Sequence, residues 1–299
     1  HLIIVVVTCV SLCTACKDTA HDDRLSLREE LYELIDTVPG TVGIAYVSDI
    51  DTITVNNGVK YPMMSVFKFH QALAVACVLE KRGHYLDSTL FIHADELDRD
   101  TWSPMLINYS DADFSISVAE LLKYSITLSD NNASNLLFKH IVTPTETDEF
   151  VRHIAKDCAF QISCSESEMK DIIYLCYSNY SSPLSAALLM RQIFEESLVG
   201  GVYQDSIKRY LSEVSTGVDR LGAAVADSEM AIFAHKTGSG YRNEAGELTA
   251  HNDIGYFLYR DGRNYSLAVF IRDFRGSEQE ASTVIANISK CVYKYHKNR

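Results

Sequence analysis

From Phe69 to Leu79 the chain reads Phe-His-Gln-Ala-Leu-Ala-Val-Ala-Cys-Val-Leu, a run without one formal charge. A stretch that apolar and that long suits a helix buried on most of its faces. Glu80-Lys81-Arg82 then restores charge, and Gly83 offers a C-terminal stop. The rest of the chain has to supply the layers that cover this helix.

Lys68 stands in the first turn of that helix, where an ammonium is costly unless it finds partners or gives up its proton. Ser65, three residues earlier, shares its face, so the amine can lie beside the hydroxyl. A weak nucleophile is activated in this way. Ordinary composition supplies roughly one Ser-x-x-Lys in a chain of this length, and Ser167-Glu168-Met169-Lys170 is a second. An N-cap serine followed by a surface lysine is the bland alternative, so context must decide.

A chain of 299 residues can bury a large core in one domain or two intimate ones. Its net charge of −13 excludes a basic face for nucleic acid or anionic lipid and points to small-molecule partners. The first sixteen residues, ending Cys13-Thr14-Ala15-Cys16, read as a secretory apolar segment. Cleavage after Ala15 or lipid attachment at Cys16 are both expected routes, and either makes the protein exported and periplasmic. The remaining cysteines, Cys77, Cys158, Cys164, Cys176 and Cys291, are odd in number, so one at least is unpaired within the mature chain. They contain no C-x-x-C, and the histidines show no ligand spacing, so neither a metal nor a cofactor is expected.

In chain order a polar leader precedes a helix over 26–37. Gly43–Val47 and Thr52–Val55 follow as a hairpin around Ser48-Asp49-Ile50-Asp51. After Pro62 the pattern is helical over a long middle stretch, residues 62–211, with helices at 117–128, 133–140, 147–156, 183–196 and 205–211. Strands return at Met230–Thr237, Asp253–Arg260 and Tyr265–Asp273, with turns at Gly238-Ser239-Gly240 and Asp261-Gly262. A last helix runs from the cap Ser277 to about Tyr295. The economical solution is an α/β (α+β) fold: one five-stranded antiparallel sheet flanked by N- and C-terminal helices, with an inserted all-helical lobe. Segments 25–61 and 212–299 form the α/β domain, 62–211 the helical one, and the active site lies between them.

Two further short motifs occur. Ser129-Asp130-Asn131 falls where one predicted helix ends and the next begins, and Lys236-Thr237-Gly238 closes a late strand, where glycine permits close approach to the backbone. S-x-x-K, S-D-N and K-T-G in this order are the signature of class A β-lactamases and penicillin-binding proteins, and the chain resembles that superfamily from Ser26 to about Tyr295. Glu166-Ser167-Glu168-Met169 looks like the loop element that marks the hydrolases, on an Ω-type loop around 160–182. Tyr177 to Leu184 resembles the end of that loop in the cephalosporinase-rich branch.

The resemblance implies a monomeric hydrolase that opens β-lactam antibiotics, cephalosporins ahead of penicillins, through an acyl-enzyme on Ser65. It implies Lys68 or Glu166 as base, Ser129 as proton donor to the lactam nitrogen, and the N–H groups of Ser65 and Ser239 as oxyanion hole. Asn131 would hold the substrate's side-chain amide. Lys236, Thr237 and Arg220 would take its carboxylate, and Trp102 would form a wall. The chain departs from the family where asparagine commonly follows the loop glutamate by four residues, here Lys170. It also lacks the loop ion pair, having Cys164 and Asn179 at those positions. Loop closure must therefore differ, and Glu168 is the alternative base. The alternatives to hydrolysis are a DD-peptidase and a β-lactam sensor that keeps its acyl group, and Glu166 argues against both.

Overall fold

The computed structural model describes residues 26–109, 111–225 and 229–298; the apolar leading segment and Cys16 lie outside them. Helix α1 covers residues 26–35. Strands β1 (Thr41–Ser48), β2 (Thr52–Val55) and β3 (Tyr61–Pro62) lead into α2 (Phe67–Arg82). A short ladder of β4 (Thr89–Ile92) and β5 (Phe114–Ser117) precedes α3 (Val118–Thr127), α4 (Asn131–His140) and α5 (Pro144–Ile154). Strand β6 (Phe160–Gln161), helix α6 (Glu166–Asp171) and strand β7 (Tyr180–Ser181) form the next loop, followed by α7 (Pro183–Glu195) and α8 (Gly201–Ser212). The chain closes with β8 (Met230–Ser239), β9 (Leu248–Tyr259), β10 (Asn264–Phe274) and α9 (Glu278–Lys297).

The main sheet has the order β2-β1-β10-β9-β8 with antiparallel ladders throughout, so strands from the two ends of the chain interleave. Strands β1 and β10, in the middle of it, read as nearly continuous apolar runs because both faces are covered. Ile44 and Tyr46 of β1, with Leu267, Val269 and Ile271 of β10, pack with Leu27 and Leu31 of α1 and Ile285, Ile288 and Val292 of α9. Ala45, Val47, Ala268 and Phe270 point the other way, into a larger core shared with α2, α3 and α7. Helix α2 crosses that core. From Phe67 to Cys77 all its residues are buried, and Gly83 ends it in the left-handed conformation at φ 64°.

Several boundaries differ from those the periodicity predicts. Gly238-Ser239-Gly240 is not a turn: β8 continues through Ser239, and the reversal comes at Asn243–Gly246. Gly238 is there for proximity, since a Cβ on it would strike the Met63 carbonyl oxygen. The middle segment is not wholly helical either. The ladder β4–β5 and the three-stranded β3-β7-β6 are too short to carry a period-two signal. Helix α4 begins at Asn131 because the Asp130 side chain caps it through Ala133 N–H, and α5 begins at Pro144 behind a Thr143–Glu146 capping box.

Candidate active site

The start of α2, the turn between α3 and α4, helix α6 and the end of β8 converge on one cleft of about 720 Å³. Ser65, Ser129, Asn131, Glu166, Arg220, Thr237, Ser239 and Trp102 all line it. Lys68 and Lys236 lie just behind, both fully buried.

Two backbone positions around the cleft are strained. Met64, immediately before Ser65, has φ 45°, and Ser129 has φ 57°, both unusual for residues with a side chain. Asn252 supports the first by donating from Nδ2 to the carbonyls of Pro62 (2.8 Å) and Met63 (3.2 Å). The second sits just before the Asp130 cap, whose carboxylate accepts from Ser103 Oγ, Met105 N–H and Ala133 N–H.

Ser65 Oγ donates to Glu166 Oε1 at 2.9 Å, and the same oxygen pairs with Lys68 Nζ at 2.9 Å. Lys68 also donates to the Ser129 carbonyl and to Asn131 Oδ1, each at 2.7 Å. A carboxylate oxygen therefore stands between the amine and the hydroxyl that the helical spacing places side by side. Lys236 Nζ donates to Ser129 Oγ at 2.9 Å and to its neighbour's carbonyl, Thr237 O, at 3.0 Å. Burial lowers the pKa of Lys68, against the pull of Glu166. Burial lowers that of Lys236 further, with the charge of Lys68 adding to it. The arrangement can pass protons among a hydroxyl, a carboxylate and two amines.

On the opposite wall Thr237 Oγ1 shares a 2.6 Å hydrogen bond with Thr216 Oγ1. The Arg220 guanidinium is buried, donating to the carbonyls of Asn252 (2.7 Å) and Gly238 (3.4 Å) and to Ser239 Oγ at 2.6 Å. Its fork is engaged with protein atoms, and it reaches the cleft chiefly by orienting Ser239. Trp102 is 61% exposed, tethered by Nε1 to the Leu128 carbonyl, while its own carbonyl accepts from Asn131 N–H.

The loop carrying Glu166 is closed by an amide. Asn179 Oδ1 accepts from the N–H groups of Ser163 (2.8 Å) and Cys164 (3.1 Å), and its Nδ2 donates to Cys164 O at 2.8 Å. Its own carbonyl accepts from Met63 N–H, linking the loop to the turn before Ser65. Glu168, the alternative base, faces away: its carboxylate caps α6 through Ser165 N–H and Oγ, both at 2.8 Å. The second Ser-x-x-Lys is likewise set apart, since Ser167 Oγ accepts from Asn135 and Lys170 Nζ goes to Asp98. Thr216 and Tyr241 also line the cleft, while Asn252 and Asn135 brace the segments that carry Ser65 and Glu166. No motif marks them; only the capping signals and the strand ends beside them hint at their positions.

Residues 26–296 match the beta-lactamase enzyme family. A beta-lactamase of Phocaeicola vulgatus is 45% identical over 282 residues, covering 94% of this chain and 88% of the relative. One from Bacteroides uniformis is 33% identical over 269 residues, covering 89% and 90%. Among solved structures, a class A beta-lactamase from Bacteroides cellulosilyticus DSM 14838 superimposes with a TM-score of 0.86 at 30% identity, covering 93% of this chain and 99% of that one. The TLA-3 extended-spectrum beta-lactamase gives 0.87 at 29% identity, covering 91% and 98%.

Proposed function

The chain belongs to the beta-lactamase enzyme family as a class A serine β-lactamase that hydrolyses β-lactams, and on that premise we propose how its residues divide the work. Ser65 Oγ attacks the lactam carbonyl carbon while its proton passes to Glu166 Oε1. The 2.9 Å hydrogen bond between those atoms, on a carboxylate already paired with Lys68, carries the assignment. The N–H groups of Ser65 and Ser239 take the oxyanion. As the C–N bond breaks, the nitrogen takes the Ser129 proton and Lys236 replaces it, an amine whose burial makes that proton easier to release. Glu166 then returns its proton to Lys68 as Lys68 gives one of its own to the depleted Lys236, so the net transfer is from Ser65 to the lactam nitrogen and Glu166 is a carboxylate again.

In the second half water gives a proton to Glu166 and adds to the ester carbonyl. The bond to Ser65 Oγ then breaks, and Oγ takes the proton back. Asn131 faces the substrate's side-chain amide, Trp102 walls the entrance, and Thr237, Ser239 and Lys236 receive its carboxylate, with Arg220 acting on it through the Ser239 hydroxyl that it holds. All these groups come from one chain, which fits a monomer with the cleft between segment 62–211 and the paired segments 25–61 and 212–299. The first sixteen residues fit export to the periplasm, with Cys16 the candidate lipid site. Cephalosporins are the preferred class, supported by the Tyr177–Leu184 tract and by the extended-spectrum enzyme among the structural neighbours.

Time-resolved mass spectrometry with a cephalosporin and a penicillin of matched side chain tests this reading. The parent should acylate and return to free mass, Ser65→Ala should form no adduct, and Glu166→Gln should acylate more slowly, with Lys68 left as base, and then hold its adduct, deacylating roughly 10²–10⁴ times more slowly than the parent. An adduct on Ser167, or equal turnover by Glu166→Gln and parent, removes the assignment. A higher specificity constant for the penicillin removes the preference.

A further inference from the structure

Lys170 lies four residues after Glu166 on α6, on the same side of the helix, and lines the cleft with it. Its amine points across the cleft floor, reaching Asp98 Oδ2 at 2.7 Å and Asp100 Oδ2 at 3.6 Å. Asp98 is itself fixed. Its N–H donates to Asn132 Oδ1 at 2.9 Å, its carbonyl accepts from Asn132 Nδ2 at 2.8 Å, and its Oδ1 accepts from Asp100 N–H at 2.9 Å. The same helix α4 grips α6 through Asn135, whose amide donates to Ser167 Oγ at 2.7 Å and accepts from Ser167 N–H at 3.3 Å. Helix α6, the segment bearing Trp102, and α4 thus form a closed triangle, with Lys170–Asp98 as its third side.

Lys170 and Asp98 are each about 30% exposed, a setting in which an ion pair adds little stability. Geometry is where it can matter. Among the described residues both partners of Glu166 are on Oε1. Oε2 has no side-chain partner of its own there, so its aim follows from the contacts to Oε1 and from the backbone of a six-residue helix. We propose that the Lys170–Asp98 pair is a positioning clamp that aims Glu166 at the hydrolytic water, serving deacylation and not acylation. It does so by fixing α6, since its amine is spent on Asp98 and is not offered to the water. During acylation Glu166 is aimed by its own contacts with Ser65 and Lys68; once Ser65 is esterified the first of these is gone, and the clamp takes over. The inference rests on Glu166 being the deacylating base.

Rapid-quench mass spectrometry with a cephalosporin separates the two half-reactions in Lys170→Met, Asp98→Asn, their double variant and Lys170→Arg. The single variants should acylate at a rate close to the parent's, yet deacylate roughly ten- to a hundredfold more slowly, the scale expected of a small misplacement. kcat and KM should then fall together. The double variant should be no slower than either single one, and Lys170→Arg should recover most of the loss. Parent-like deacylation in Lys170→Met and Asp98→Asn overturns the clamp. So does an equal fall in both half-reactions, or a Lys170→Arg as slow as Lys170→Met. Glu166→Gln run in parallel separates the two ideas. If it holds its adduct while the clamp variants turn over normally, only the clamp fails; if it turns over like the parent, the base assignment fails first.

Discussion

Lys68 and Lys236 are two buried amines sharing one neighbourhood, and each is tied to a different partner in the reaction. Lys68 holds Glu166, whereas Lys236 holds the Ser129 hydroxyl. Lys236→Ala should therefore slow acylation far more than deacylation, by roughly 10²–10⁴ in kcat/KM, with the alkaline limb of the pH profile altered, since a proton donor is lost as pH rises. Single-turnover kinetics across pH checks this, and an unchanged acylation rate takes Lys236 out of the relay. The residues carrying the proposed chemistry were legible because three short motifs hold six of them, and each motif sits where backbone geometry demands it. The glutamate between amine and hydroxyl was not legible at that level of detail, because i and i+3 spacing describes one helix and Glu166 arrives from another. Asn252, Thr216 and Asn135 escaped for a related reason: hydrogen bonds to a carbonyl, a hydroxyl or an N–H far along the chain leave no pattern in the residue's own neighbourhood.

At the scale of the element, the loop from β6 to β7 depends on Asn179 doing what an ion pair does in commoner relatives. A neutral amide suits this site, since it must both accept from two N–H groups and donate to a carbonyl, and a carboxylate can only accept. Asn179→Ala leaves the buried Cys164 amide and carbonyl unpaired, at about 1–3 kcal/mol for each unsatisfied group. A lowered denaturation midpoint and faster hydrogen exchange at Cys164 are the expected outcomes; native protection at that amide would show that another contact closes the loop. The long helices and the five sheet strands were predictable from apolar period, caps and terminal glycines. What periodicity could not reach were two-residue strands, a six-residue helix, and a strand end whose glycine mimics a turn signal while serving a close backbone approach.

At the scale of the whole molecule, His70, His251 and His296 are buried among the described residues, where the charge they would carry in water at low pH is disfavoured. Burial lowers the pKa of His70 to about 4, of His296 to about 4 and of His251 to about 3. Because these folded values lie below the ordinary 6.5, the unfolded chain binds protons first. Their stabilising contribution is fully present above about pH 6.5 and is lost as pH falls toward 4, at about 1.4 kcal/mol per unit of depression for each group. Urea midpoints taken from pH 7.5 down to 4.5 should fall steadily, and a flat profile would contradict the burial of these rings. The two-ended architecture was itself readable, since helix and hairpin at the start, and strands and helix at the end, leave little choice but a shared sheet. Its pairing also imposes an order in time. Among the described residues strand β1 has only β2 and β10 beside it, so Thr41 waits for Arg272 and its neighbours. The first hairpin must stay an open edge while some two hundred further residues emerge, the kind of long-range closure that makes folding slow. A chain interrupted before β10 would keep its best-formed strand edge uncovered, ready to join the same edge of another unfinished copy.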